Sequence, residues 1–410
     1  MHSVSERKGL QVLFAATGIN LVSGLLYIWS VISKSLVREL NWTSKEASLP
    51  YTIATVSMVI AMVLLGKVQD VKGPRFTATI GSLLLGTGFI LSGFTRSPLI
   101  MVVTFGIMTG SGMGILNLST ISAPSKWFSA SKKGMITGTV VAGVGLSSVL
   151  YSPLSNYLII TIGSSKTFIY IGTFALIIAC SLSQLLRTPP KGYTIKGNSN
   201  NNLAISNSID FTWKEMLSTV SFYKLWVMLA FSASAGLMII GHATNIAIVQ
   251  INWEGGFILV ILLAIFNTLG RFLGGSISDK IGRINLMRTI FIAQAINMLI
   301  FSKYSSITTL AIGVAIAGLC YGATFSVFPA TCSDLYGTKS FGINYGLLFT
   351  GWGFGGIIGP MTGAYIFDLT KSYSSSYLIA FILLTISLLI TFKLKTSPIP
   401  LKTTVLQGDH

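Results

Sequence analysis

The sequence predicts an all-α membrane protein: twelve transmembrane helices arranged as two pseudo-symmetric six-helix halves. Three observations predict it. The 410 residues are 51% hydrophobic and only 10% charged, against about 25% charged in soluble domains. The apolar residues gather in stretches long enough to cross a bilayer, which takes about 20 residues of helix. Glycines recur at one fixed offset between the first and second halves of the chain.

The twelve segments read 10–37, 46–67, 76–95, 98–123, 133–160, 165–187, 221–250, 255–278, 285–303, 307–333, 341–369 and 374–394. The first is too long for a signal-peptide core and reads as a retained helix. Between the sixth and seventh lies a polar stretch, Lys196–Ser208, with a short amphipathic piece expected at Phe211–Leu217. The expected organisation is therefore an N-terminal half over 1–187, a linker over 188–220, a C-terminal half over 221–395 and a tail over 396–410. Gly110, Gly114, Gly134, Gly138, Gly143 and Gly145 match Gly318, Gly322, Gly342, Gly346, Gly351 and Gly353 at an offset of 208. Two parallel repeats of six helices imply a pseudo-two-fold axis along the membrane normal, with a site expected at their interface.

The net charge of +17 invites a nucleic-acid reading, and its distribution excludes one. The basic residues are scattered among short loops, with no cluster of the kind that grips phosphates. They do obey the positive-inside rule. With both termini cytoplasmic, 20 of the 28 Lys/Arg fall inside and seven outside, leaving Arg271. That bias places the chain in the cytoplasmic membrane with both ends inside. Cys180, Cys320 and Cys332 give neither a disulfide framework nor metal spacing. No His/Cys/Asp/Glu cluster suggests a metal, a cofactor or a nucleophile, so an enzyme is not expected.

Arg271 stands deep within the apolar run Phe257–Ile277, with no acidic residue at similar depth. A charge at the bilayer centre costs roughly 2.5 to 17 kcal/mol, according to the method of measurement. Helical spacing puts Asn267, Arg271, Gly274, Gly275 and Ser278 on one face. Asp279 lies eight residues on, so about 12 Å of helix separates Arg271 from that end. A guanidinium grips a carboxylate with two hydrogen bonds, so the face predicts a cavity that binds an anion. The alternative is a structural arginine bonded to backbone carbonyls. Tyr27, Tyr321, Phe325 and Trp352 fall near mid-membrane and are candidate pocket walls, as is Asn117. His242 titrates near physiological pH if exposed to protons, or serves as a satisfied hydrogen-bonding residue.

Two related stretches carry a second pattern. GKVQDVKGPR spans Gly66–Arg75 and includes Asp70 and Gly73. GSISDKIGR spans Gly275–Arg283 and includes Asp279 and Gly282. The pattern G-x-x-x-D-x-x-G closed by an arginine, two places after the glycine in the first stretch and one in the second, resembles the loop signature of the major facilitator superfamily, over essentially the whole chain. An aspartate there can cap a neighbouring helix and pair with a basic residue, locking one conformation. Small residues at four-residue spacing, Gly134, Gly138 and Ala142, then Gly351, Gly355, Gly359 and Gly363, predict close helix packing.

A narrower resemblance rests on SGLLYIW (Ser23–Trp29), NTLGR (Asn267–Arg271), FPATCSDLYG (Phe328–Gly337) and NYG (Asn344–Gly346). Together these resemble the oxalate:formate antiporter branch, related to monocarboxylate transporters. The resemblance implies carboxylate transport with Arg271 gripping the substrate. The branch's dicarboxylate member also uses a lysine in its eleventh helix, where this chain has Trp352. The expected function is thus a secondary transporter of a small organic anion, a monocarboxylate first, working by exchange or proton symport. A dicarboxylate antiporter and a transporter-like anion sensor are the alternatives. The expected partners are a small carboxylate and the lipid bilayer, with the protein a monomer.

Overall fold

The computed structural model describes residues 2–190 and 210–394. The stretch Lys196–Ser208 and the tail 396–410 lie outside the described residues, as does the side chain of Tyr27. Among the described residues every regular element is helical. A saturated i to i−4 ladder is how a lone segment satisfies its backbone in lipid.

The first segment is not one straight helix. It divides into α1 (His2–Ser23), a 3-10 turn (Gly24–Ile28) and α2 (Trp29–Leu40). Gly24 lies so close to Ser147 that a Cβ there would overlap the Ser147 side chain. The Ser147 hydroxyl lies 3.4 Å from the Gly24 carbonyl oxygen. A tight turn thus sits where the glycine meets another helix. α3 (Ser44–Lys72) opens on a capping box. The Thr43 hydroxyl accepts from the Glu46 amide, and the Glu46 carboxylate accepts from the Thr43 amide. Two otherwise orphaned donors are satisfied reciprocally. α3 ends at Gly73, whose φ of +83° belongs to a region that side chains avoid. The chain then turns at once into α4 (Pro74–Ser92), with proline at the first helical position, where a missing N–H costs nothing.

The fourth segment is one continuous run: α5 (Pro98–Met101), a π-helical stretch (Val102–Thr109) and α6 (Gly110–Ser125). α7 (Lys133–Ile162) and α8 (Ser164–Ser183) follow, separated by Gly163 at φ +82°. After the undescribed residues comes α9 (Trp213–Leu217), again begun by a capping box, between Thr212 and Glu215. Then come α10 (Val220–Ile251), a 3-10 turn (Glu254–Gly256), α11 (Phe257–Ile281), α12 (Arg283–Phe301), α13 (Ile307–Tyr336), α14 (Phe341–Thr370) and α15 (Ser374–Phe392). The break between α11 and α12 falls at Gly282, φ +90°, and so repeats the α3–α4 break at Gly73.

Ten of these helical runs are long and apolar enough to cross a membrane. Two of the twelve expected segments, the first and the eleventh, are not among these spans of described residues. The eleventh, α14, is an unbroken 30-residue helix whose glycines replace aliphatic side chains.

The chain forms two compact units. One gathers the described residues of Met1–Ser129, Thr139–Leu203 and Phe341–Leu347. Within it α4 packs along α6 and α8, and α3 packs along α6. The other gathers the described residues of Ala130–Gly138, Ala204–Ser340 and Leu348–His410. Within it α11 packs tightly on α13, and α15 packs on α10 and α12. The start of α7 thus groups with the second unit and the start of α14 with the first. In the second unit the α14 stripe of Gly351, Gly355 and Gly359 lies against the backbone of α10 at Trp226, Ala230 and Ser234. This is the close helix approach that small residues permit.

Candidate functional site

In the second unit, the buried residues of α11 are Leu259, Leu263, Asn267, Gly270, Arg271, Gly274, Gly275 and Ser278. The five residues expected on one face are all among them. Arg271 is 1% exposed and heads the largest fully buried side chains. Its Nε donates to the Asn267 Oδ1 at 3.0 Å, one helical turn back. The guanidinium lies over the Phe325 ring, 4.3 Å from the ring centre, where the negative face of the π system attracts a cation. The Ser326 hydroxyl donates to the Arg271 carbonyl, which ties α13 to this turn of α11.

Around Phe325 stand further aromatic side chains. Tyr321 meets it edge-on at 5.1 Å and Trp352 at 6.1 Å. The Trp352 indole N–H donates to the Tyr321 hydroxyl at 2.9 Å. Phe349 stacks on Trp352 at 4.9 Å and reaches Phe325 at 6.2 Å. Arg271, Asn267, Tyr321, Phe325 and Trp352 therefore form one cluster built from α11, α13 and α14. The sequence reading missed Phe349. Its spacing of three from Trp352 was the available signal, since such residues share a helix face. Chemically the cluster is a planar cation held between an amide oxygen and aromatic faces.

Asn267 thus fixes one edge of the guanidinium. Asn267→Ala is expected to weaken substrate binding about ten- to a hundredfold, since hydrogen bonds to charged groups contribute about 1.5–3 kcal/mol. Asn267→Asp, which places a fixed carboxylate beside Arg271, is expected to weaken binding of an anion further. Substrate-dependent thermal stabilisation of the two purified variants measures both effects. Equal binding by Asp and wild type would remove this role.

Asn117 belongs to the other unit. It is 7% exposed on α6, and its side-chain oxygen has no hydrogen-bond partner among the described residues. Nearby in sequence, Thr120 donates to the Asn20 Oδ1 at 3.0 Å, and Asn20 donates to the Val140 carbonyl at 3.0 Å. His242 lies apart from the arginine cluster. Its partners are Pro360 and Tyr373.

The two signature stretches carry out matching tasks. The Asp70 carboxylate accepts from the amides of Gly342 and Ile343, at 2.8 and 3.1 Å. The Asp279 carboxylate accepts from Gly134 and Met135, at 2.9 and 2.7 Å. Gly342 is Gly134 displaced by the repeat offset of 208. Each aspartate thus caps the first turn of a helix that the other half of the sequence supplies, α14 for Asp70 and α7 for Asp279. There the orphan amides and the positive end of the helix dipole favour a carboxylate. Gly66 and Gly275 make the approach possible. A Cβ on Gly66 would meet the Ile343 backbone at 2.6 Å, and one on Gly275 would overlap the Gly134 carbonyl oxygen.

The basic residues of the two stretches differ. Arg283 pairs with Asp279 at 2.6 Å and with Asp334 at 2.9 Å, and Lys133 reaches Asp334 at 3.4 Å. Arg75 instead donates to the Gln184 side chain at 2.8 Å. The repeat is closer in its backbone and its aspartates than in its cations.

The sequence profile described as Major Facilitator Superfamily matches residues 12–299 and 237–408. The chain belongs to the major facilitator superfamily. It is accordingly a multi-pass membrane transporter and not an enzyme. Among its relatives, the MFS-type transporter YhjX of Escherichia coli K12 is 28% identical over 82% of each chain. The oxalate:formate antiporter of Oxalobacter formigenes is 25% identical over 93% of this chain and 88% of its own. Monocarboxylate transporter 13 of Rattus norvegicus is 24% identical, over 75% of this chain and 70% of its own. The solved proton:xylose symporter XylE superposes with a TM-score of 0.76 at 14% identity, covering 96% of this chain and 98% of that one. At that identity the likeness concerns the fold, which is the two-half major facilitator architecture.

Proposed function

We propose that this transporter carries a small monocarboxylate across the cytoplasmic membrane by alternating access, with Arg271 gripping the carboxylate. One observation carries the reading: a fully buried guanidinium, oriented by Asn267 and laid on Phe325 within an aromatic cluster. A cation so placed is costly in an apolar span, and an anionic substrate offsets that cost when it binds. Transport by relatives named for oxalate, formate and monocarboxylates supports the same chemistry. In this reading Tyr321, Phe325, Trp352 and Phe349 contact the organic part of the substrate. Both termini face the cytoplasm, the protein acts as a monomer, and Gly66, Asp70, Gly73 and Arg75 with Gly275, Asp279, Gly282 and Arg283 form the gate. A substrate screen in proteoliposomes, with small carboxylates and with or without a pH gradient, tests the reading. Failure of every carboxylate would end it.

A second reading, dicarboxylate exchange, is favoured by the match to the oxalate:formate antiporter. Charge separates the two. A dicarboxylate in a low-dielectric cavity needs about two compensating cations, because an uncompensated buried charge is strongly penalised. At Trp352 the helix presents an indole whose N–H is directed to Tyr321. Competition assays are therefore expected to rank formate, lactate and pyruvate above oxalate and malonate. Tight oxalate binding would transfer support to the second reading.

A further inference from the structure

His242 sits on α10 where that helix meets α14 and the turn into α15, all within the second unit. Its Nε2 lies 2.9 Å from the Pro360 carbonyl oxygen. A carbonyl only accepts, so Nε2 carries a hydrogen. The Nδ1 lies 3.3 Å from the Tyr373 hydroxyl, and Asn245 donates to that same hydroxyl at 2.7 Å. In the neutral ring Nδ1 is an acceptor, so Tyr373 donates to it. Burial holds the Tyr373 phenol above its ordinary range, which keeps its proton available for that bond. The imidazole also packs on the Tyr373 ring, 5.2 Å between centres, and fills the space left by Gly363 on α14. With a neutral imidazole every polar atom of this group thus has one assigned direction.

We infer that His242 is a proton-binding site whose occupancy reverses the hydrogen bond across the junction of α10, α14 and α15. A proton arriving at Nδ1 turns it into a donor. The Tyr373 oxygen must then accept from both His242 and Asn245, and its own hydrogen loses its acceptor. A buried donor left without a partner is unfavourable, so the two protonation states favour different arrangements of the turn Lys371–Ser374. The turn follows α14, whose ladder is interrupted at Pro360, so a change there acts on a helix with a built-in weak point.

The surroundings leave His242 the group best suited to respond. On α10 no charged residue lies between Lys224 and His242. The end of α14 and its turn bring Asp368 and Lys371, and the 3-10 turn before α11 brings Glu254, all three exposed. α15 brings Tyr377, which is buried, while α13 meets α10 at Gly236, six residues before His242, through Tyr321. Of these side chains, the imidazole is the one that offers a ring nitrogen able to take up a proton while the other keeps its bond.

The transport arm of the test rests on the carboxylate reading, and the spectroscopic arm does not. The full chain carries three histidines, so 15N-histidine labelling gives few signals, and loss of one in His242→Gln assigns it. In substrate-free protein in lipid nanodiscs, that signal is expected to report an Nε2-protonated ring at high pH. Scanned from about pH 8 down to about pH 5, it should convert to the doubly protonated form, and the conversion should move in Tyr373→Phe. Glutamine can donate to Pro360 and accept from Tyr373 without taking up a proton. In proteoliposomes, labelled pyruvate counterflow is expected to vary with pH in the wild type and to be flat in His242→Gln. A ring that stays in one protonation state across that range, or an Nδ1-protonated tautomer, would overturn the inference. So would a wild-type pH profile in the glutamine variant. If the wild type moves no pyruvate or other carboxylate, the carboxylate reading falls, and the spectroscopic titration alone decides the proton site.

Discussion

Arg271→Ala is expected to abolish carboxylate uptake while leaving folded protein in the membrane. The magnitude follows from the burial of the guanidinium, 1% exposed. Removing one partner of a buried charge pair costs about 3–5 kcal/mol, which is a loss of a hundredfold or more in apparent affinity at about 1.4 kcal/mol per decade. Folding should survive, since alanine leaves no buried cation behind and Asn267 is an uncharged neighbour. Arg271→Lys should recover little. An ammonium on a flexible stem cannot reproduce the two-bond fork, nor lie flat over Phe325 as the guanidinium does. Uptake in proteoliposomes, together with the elution profile of each variant, is the measurement. Wild-type uptake by the alanine variant would remove Arg271 from the site and with it the main support for an anionic substrate.

The second large effect is expected at the paired aspartates. Asp279→Asn should release the first turn of α7, and Asp70→Asn that of α14. An asparagine oxygen can still accept, but its amide group presents hydrogens to a helix end already rich in N–H donors. The charge that the helix dipole favours is also lost. A loss of about 1–3 kcal/mol per site shifts a conformational equilibrium about 5- to 150-fold away from the state in which these caps are made. Hydrogen exchange at residues 133–138 should rise in Asp279→Asn, and at 341–347 in Asp70→Asn, each leaving the other segment protected. Unchanged exchange at both segments would mean that the caps do not hold a conformation in place. Asp279→Asn should be the more severe, because Arg283 pairs with Asp279 at 2.6 Å, whereas the described bond of Arg75 goes to Gln184.

By itself the sequence determined what depends on local composition and period. An apolar chain with few charges must bury its backbone in helices to live in lipid, and the described residues form helices in every regular element. The 3.6-residue period placed Asn267, Arg271, Gly274, Gly275 and Ser278 on one face, and all five are buried. The cost of a charge at that depth marked Arg271 before any neighbour was known. Positive φ at Gly73 and Gly282 ends two helices at corresponding points of the repeat, and both glycines stood in the signature stretches.

Tertiary structure alone decided the partners. Asp70 caps amides 272 and 273 positions away, and Asp279 caps amides 145 and 144 positions away. The capping chemistry was legible, but nothing near either aspartate specifies which helix end arrives there. The repeat made Arg75 and Arg283 look equivalent, and packing gave them different acceptors. Gly24 read as part of a continuous first helix until the position of Ser147 was known. Phe349 joined the aromatic cluster, and His242 left it for Pro360 and Tyr373, because helix rotation and approach set which faces meet. A local pattern says which side of a helix is turned inward. Only the packed fold says what it is turned toward.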